Sequence, residues 1–297
     1  MPTIAQGHRR CYQIAGITLQ VEADLPISEG TFAPRFKPFE VDAPGEDVVS
    51  LHHHFALPDL SGRDLGQLVY RRPPWAIYQR NGSWTYLGIS PDADDPELHR
   101  VAVFNQEHTR GRIHTPNEDA FRRGHLDALT LFPTDQILLA RLLADRQGCY
   151  LHAAGMILDG RGLAFVGHSE AGKSTLVTML RERGEILCDD RIILRRWPEG
   201  WRIHGTWSHG EVPLVSGASA PLRAILFLEQ AGANHLLPIE DRRELARRLP
   251  FYMIKPLATA DWWEKMLALV EVMVQEVPAY RLQFDLSGRA AEVLGRL

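Results

Sequence analysis

The 297-residue chain is 45% hydrophobic and 24% charged, with a formal net charge of −4 and a pI of about 6.4. This balance argues against long disordered stretches and against non-specific nucleic-acid binding. Its three cysteines (Cys11, Cys149 and Cys188) are too few and too widely spaced for a disulfide framework, and no apolar run reaches transmembrane length. With no signal-peptide core near Met1, the expectation is a soluble cytoplasmic protein without membrane or nucleic-acid partners.

The first third reads as mostly β. β-branched and aromatic residues mark strands at Cys11–Val21, Val48–Phe55, Leu68–Tyr70, Trp75–Gln79, Trp84–Ile89, Val101–Phe104 and Arg112–His114. Asn81-Gly82 suits a two-residue hairpin turn with positive φ. The proline-rich segments 33–47 and 89–98 read as surface loops. Within "LHHHF", strand alternation sends His52 and His54 to one face and His53 to the other. No cysteine or acid stands nearby at ligand spacing, so a solvated or packed strand is the better reading than a metal site. His108, His114, His125 and His235 read as surface residues.

The period changes at Asp135. Ile137, Leu138, Ala140, Leu142 and Leu143 form one helical stripe, with Thr134 or Asp135 as cap and Gly148 as stop. A boundary is expected between a mostly β accessory domain, 1–128, and a second α/β domain, 129–297. There the pattern runs strand (150–158), turn "DGRG", strand (163–167), glycine loop, helix (173–183) and strand (186–188) ending at Asp189-Asp190. Strands are expected at 191–197, 201–205, 222–230 and 279–286, and helices at 241–249 and 261–275. In the last helix Trp262, Trp263, Leu267, Val270 and Met273 recur at near-helical spacing and read as core.

The loop "GHSEAGKS" fits G-x-x-x-x-G-K-[ST] and stands between a strand and a helix, the context a phosphate loop requires. Lysine is rare here: Lys37, Lys173, Lys255 and Lys265 are the only four. Gly167 and Gly172 permit the backbone to turn successive N–H groups inward as an anion nest, with the helix dipole behind them. The expected nucleotide contacts are Gly167, His168, Ser169, Glu170, Ala171, Gly172, Lys173, Ser174 and Thr175. Lys173 would reach the β- and γ-phosphates of ATP, and Ser174 would ligate Mg²⁺. Asp189 and Asp190, at the carboxyl end of a strand, can divide labour, one on the metal and one accepting a hydroxyl proton. The sequence does not say which does which. His152, on the strand before the loop strand, is by itself only a candidate. His204–Glu211 is a candidate acceptor-side loop or a turn around a packed Trp207, and Arg223 or Arg289 could stabilise transferred charge.

Residues 150–194 resemble the catalytic core of the HPr kinase/phosphorylase family and the wider group of HprK-like kinases. The matching elements are His152, Asp159–Gly162, Gly167–Ser174, Arg183-Gly184 and Asp189-Asp190, in the same order and at similar spacing. The resemblance implies a phosphoenolpyruvate-carboxykinase-like phosphate-loop fold with a mixed sheet and flanking helices. It also implies ATP and Mg²⁺, a catalytic role for Lys173, His152 near the reacting phosphate, one aspartate as base, the other on the metal, and a homo-oligomer. Thr175 replaces the family's usual glutamate, and Glu170 stands where glycine is common. Residues 204–222 lack the long glycine-rich signature of the bifunctional enzymes, so neither HPr as substrate nor phosphorolysis is expected. The layout looks more like kinases encoded beside peptide-modification systems, which implies a peptide or protein serine as acceptor. The alternatives are a nucleotide-gated binding protein without phosphotransfer and a small-metabolite kinase.

Overall fold

The computed structural model describes residues 7–89, 98–130, 135–256 and 259–297. They form two compact units, Met1–Leu138 and Leu139–Leu297. Among the described residues no helix is long and apolar enough to cross a membrane.

The first unit carries a mixed sheet. Its strands are β1 (Arg9–Ile14), β2 (Ile17–Ala23), β3 (Glu40–Val41), β4 (Asp47–His54), β5 (Gln67–Arg72), β6 (Trp75–Arg80), β7 (Ser83–Ile89), β8 (Leu98–Phe104) and β9 (Arg110–His114). They lie in the order β3-β1-β2-β4-β9-β8-β7-β6-β5. β2–β4 and β4–β9 are parallel pairs. The single strand expected at Cys11–Val21 is instead a hairpin. Ala15 and Gly16 both take positive φ, 48° and 78°, so the chain reverses without the usual Asn-Gly signal. The Asn81-Gly82 hairpin forms as expected, with φ of 47° and 74°.

The segment expected to be a surface loop at 33–47 instead contains a 3₁₀ turn, Pro34–Phe39, that buries Phe36 and Phe39. The second proline-rich segment falls largely on 90–97, outside the described residues. A short helix, α1 (Asp119–Arg123), follows β9. Of the two expected helix caps, Thr134 lies outside the described residues. Asp135 is buried and accepts hydrogen bonds from the backbone of Leu129 and Thr130 and from the Thr130 hydroxyl. His108 is also buried, hydrogen-bonded to the Tyr86 hydroxyl at 2.7 Å, contrary to the surface expectation.

α2 (Gln136–Ala144) begins in the last residues of the first unit and leads, in the second, into β10 (Gly148–Leu158), β11 (Arg161–Val166), α3 (Lys173–Leu180), β12 (Glu185–Cys188), β13 (Arg191–Trp197) and β14 (Gly200–His204). β15 (Ser219–Gln230), β16 (His235–Pro238), α4 (Arg242–Tyr252), α5 (Ala260–Glu276), β17 (Ala279–Phe284) and α6 (Ala290–Leu294) complete it. The class is mixed α/β and β-rich. β10 and β15 are long strands that change neighbours midway. β10 pairs with β13 over Gly148–His152 and with β11 over Ala153–Leu158. β15 pairs with β14 at its start, then with β11 in parallel.

The central strands are covered on both faces, so they read as continuous apolar runs rather than alternating ones. Ala164, Val166, Ile225 and Phe227 pack with Leu249, Trp262, Met266 and Met273 of α4 and α5. Leu163, Phe165, Leu226 and Leu228 face the other way, toward Leu176, Val177 and Leu180 of α3 and Val293 of α6. The apolar stripe of α5 runs through Met266 and Leu269. Leu267, expected in the core, is 52% exposed, one residue around the helix from the buried stripe. All three cysteines are free and buried.

Candidate active site

The point where β10 changes partners organises the site. His152 pairs in register with Arg191 of β13, and the next residue, Ala153, already pairs with Val166 of β11. β11 and β12 both run antiparallel to β10, on its two sides, so their carboxyl ends lie at the same end of the sheet. Such ends are where ligands gather in open α/β sheets. The glycine loop leaves β11 there, and Asp189-Asp190 leaves β12 there. Gly155 makes the fork possible, because a Cβ on it would lie 2.6 Å from the Ile192 side chain.

The loop has the conformation its glycines require. Gly172 caps α3 with φ 92°, and a Cβ there would lie 2.7 Å from the Phe284 ring. A Cβ on Gly167 would lie 2.5 Å from that of Ala171. Glu170 also has positive φ, 68°, which explains why a glycine suits that position. Its carbonyl accepts a hydrogen bond from Gln230 Nε2 at 2.8 Å.

The Lys173 ammonium donates to the carbonyls of Gly167 (3.0 Å) and His168 (3.1 Å). The residue is only 8% exposed. Burial pushes its pKa down, and the Asp190 and Asp189 charges counter that only in part. A buried ammonium costs several kcal/mol unless it is compensated. Two carbonyls supply part of this, and an arriving anion would supply more.

The two aspartates hold different partners. Asp189, 1% exposed, accepts from Ser174 Oγ (2.9 Å), Gly210 N (2.6 Å) and Val212 N (2.9 Å). Asp190 accepts from His152 Nε2 (3.1 Å) and forms an ion pair with Arg191 Nη1 (3.1 Å). Burial opposes the charge on Asp190, but the His152 hydrogen bond and the charges of Arg191, His152 and Lys173 outweigh it. Its carboxyl therefore titrates below the ordinary range.

These groups share one cleft of about 420 Å³, lined by His152, Ser169, Glu170, Gly172–Thr175, Asp189, Asp190, Gly210, Glu211 and Gln230. Of the expected loop contacts, Gly167, His168 and Ala171 do not line it. His168 turns to Tyr252, whose hydroxyl lies 3.2 Å from its Nε2. Trp207 is fully buried, while Gly210 and Glu211 of the same segment reach the cleft. Arg223 and Arg289 are engaged elsewhere, with the Leu297 carbonyl and with Ser287.

Arg191, Gln230 and Tyr252 were not anticipated. Arg191 directly follows the aspartate pair, so a basic residue in "DDR" was an available signal. Gln230 and Tyr252 come from distant elements and carried none.

A family model described as SynChlorMet cassette protein ScmC matches residues 131–297. No curated protein matches the chain. Among solved structures, the chain is similar to the Hpr(Ser) kinase/phosphatase from Coxiella burnetii, with 11% identity over 50% of this chain and 94% of that one and a TM-score of 0.31.

Proposed function

The chain belongs to the family described as SynChlorMet cassette protein ScmC, and we propose that it is an ATP-dependent, Mg²⁺-requiring kinase that phosphorylates a hydroxyl, the side chain of a serine in a peptide or protein. The observation that carries this reading is the convergence of Lys173, Ser174, Asp189, Asp190 and His152 on one cleft at a single sheet end. The same residues, in the same order, make up the resemblance to HprK-like kinases.

The loop backbone and the α3 N-terminus supply N–H groups and dipole for the phosphates. Lys173, buried and poorly compensated, exchanges loop carbonyls for the β- and γ-phosphate oxygens. Ser174 and Asp189 present a hydroxyl and a carboxylate 2.9 Å apart, an all-oxygen donor pair suited to a small hard cation. These two oxygens would hold Mg²⁺, which would supply neutralisation of the phosphate charge. Asp190 is the base. A carboxylate offers about four acceptor positions, so the bonds from His152 and Arg191 leave room for an acceptor hydroxyl. In the transfer, the acceptor oxygen bonds to the γ-phosphorus, the bond from that phosphorus to the bridging oxygen breaks, the hydroxyl proton passes to Asp190, and ADP leaves. The low basicity of Asp190 makes its main contribution alignment, with proton uptake late, as suits a loose phosphoryl-transfer transition state.

Mass spectrometry of candidate peptides and proteins incubated with the chain, Mg²⁺ and γ-labelled ATP tests this reading. A labelled phosphoserine is expected. Bound nucleotide with no phosphorylated product on any candidate would favour a nucleotide sensor instead.

A further inference from the structure

We propose that the first unit binds one divalent transition-metal ion through Asp24, His52 and His54. β2 and β4 are parallel, with Glu22 beside His52 and Ala23 beside His53. The Asp24 amide donates to the His53 carbonyl at 3.1 Å, which continues the pairing one residue past the strand. Alternation along β4 puts His52 and His54 on the partly exposed face, where Asp24 arrives, while His53 is buried on the other. The acidic partner absent from the local sequence is thus brought in from another strand.

The three side chains already converge. The His52 and His54 rings stack at 4.4 Å with 16° between planes. Each donates to a different oxygen of Asp24, His52 Nε2 at 2.8 Å and His54 Nδ1 at 2.9 Å. One ligand atom from each residue lies within 4.8 Å of the others. An ion bonded at about 2.0–2.2 Å to two imidazole nitrogens and a carboxylate oxygen needs small ring rotations and moves each N–H proton that faces Asp24 to the other nitrogen of its ring.

The surroundings suit such a centre. Glu22 Oε2 lies 3.7 Å from His52 Nδ1, placed to orient that ring in the manner of a carboxylate behind a metal-bound histidine. His114 stacks on His54 at 4.7 Å, but its Nδ1 faces the Ala56 carbonyl, so it walls the site without ligating through that atom. Arg112 pairs with His52 across β4–β9 and lowers the affinity, an effect that the carboxylates of Asp24 and Glu22 oppose. His52 also borders an open cleft of about 490 Å³, which leaves a coordination position for water or an external ligand. Two nitrogens and one oxygen favour Zn²⁺, Co²⁺, Ni²⁺ or Cu²⁺ over Mg²⁺.

The test is calorimetric titration of the full chain, stripped by chelation, with ZnCl₂, alongside visible absorption of the Co²⁺ form. One equivalent of Zn²⁺ is expected, together with a Co²⁺ band of low-coordinate character. His52→Ala, His54→Ala and Asp24→Ala should each lose that equivalent while circular dichroism shows an intact fold. Asp189→Asn, in the other unit, should keep it. No saturable Zn²⁺ uptake by the wild type, or uptake retained in the His52 and His54 variants, would overturn the proposal.

Discussion

His152 Nε2 donates to Asp190 Oδ1 at 3.1 Å, although 38 positions of sequence separate the two residues. The bond arises because β10 pairs with β13 up to His152 and turns to β11 immediately afterward. His152 thereby fixes one carboxylate oxygen of the proposed base. His152→Ala is expected to lower phosphate transfer by about 10- to 100-fold, as loss of a charge-assisted hydrogen bond of about 1.5–3 kcal/mol would do. ATP affinity should change little, and His152→Gln, which keeps an N–H donor, should recover part of the rate. Parallel measurement of ATP binding and transfer checks this.

Lys173 is poorly compensated by design of its surroundings: two carbonyls, little solvent and two aspartates that are not in contact with it. Lys173→Ala removes the charged donor to the phosphates. ATP affinity should fall by about 10- to 100-fold, and ADP affinity should fall as well because the β-phosphate is included. Equal ADP and ATP affinity for wild type and variant would remove Lys173 from phosphate binding.

Gly172→Ala tests the loop geometry apart from its charge. The added methyl meets Phe284, and φ of 92° disfavours any L side chain. Destabilisation of about 1–3 kcal/mol is expected in denaturant unfolding, with weaker nucleotide binding as the loop relaxes away from its nest.

The chemistry-bearing residues of the cleft were legible because their spacing is local: the loop, its helix and the aspartate pair lie within 24 consecutive residues (167–190). Packing was less so. The Ala15-Gly16 reversal lacks the residues that favour positive φ, and a strand was expected to run through it. His108 is buried because Tyr86, on another strand, offers its hydroxyl. Asp24 joins the histidines of β4 only through the parallel β2–β4 pairing, which no local spacing shows. Leu267 fell on the wrong side of α5 because the stripe through Met266 and Leu269 is one residue out of step with the spacing chosen.

His204 gives a pH test of the second unit. Burial and the nearby charges of Arg202 and Arg195 push its pKa down to about 4. Its Nε2 accepts from the Trp197 indole N–H at 3.3 Å, which requires the neutral ring. The unfolded imidazole takes a proton near 6.5, so between 6.5 and about 4 the unfolded state holds more protons and acidification destabilises the fold. The full effect is up to about 3 kcal/mol, from about 1.4 kcal/mol per pKa unit. His204→Gln should flatten the stability-versus-pH curve by that amount between pH 7 and 4. His53, also held near 4, acts in the same sense, and Asp135, raised by burial to about 6, acts oppositely. Both are common to wild type and variant, so urea unfolding midpoints for the pair isolate His204.

The assignment of Asp190 as base and Asp189 as metal partner is the centre of the account, and Asp190→Asn tests it most directly. The isosteric amide keeps the place of the side chain while removing its basicity. ATP and Mg²⁺ binding should stay within a few-fold of wild type, because Ser174, Asp189 and Lys173 are untouched. Transfer of labelled γ-phosphate to an identified acceptor should fall by about 10²- to 10⁴-fold, the usual contribution of a positioned base. Transfer at near wild-type rate by Asp190→Asn, with nucleotide bound normally, would contradict the assignment.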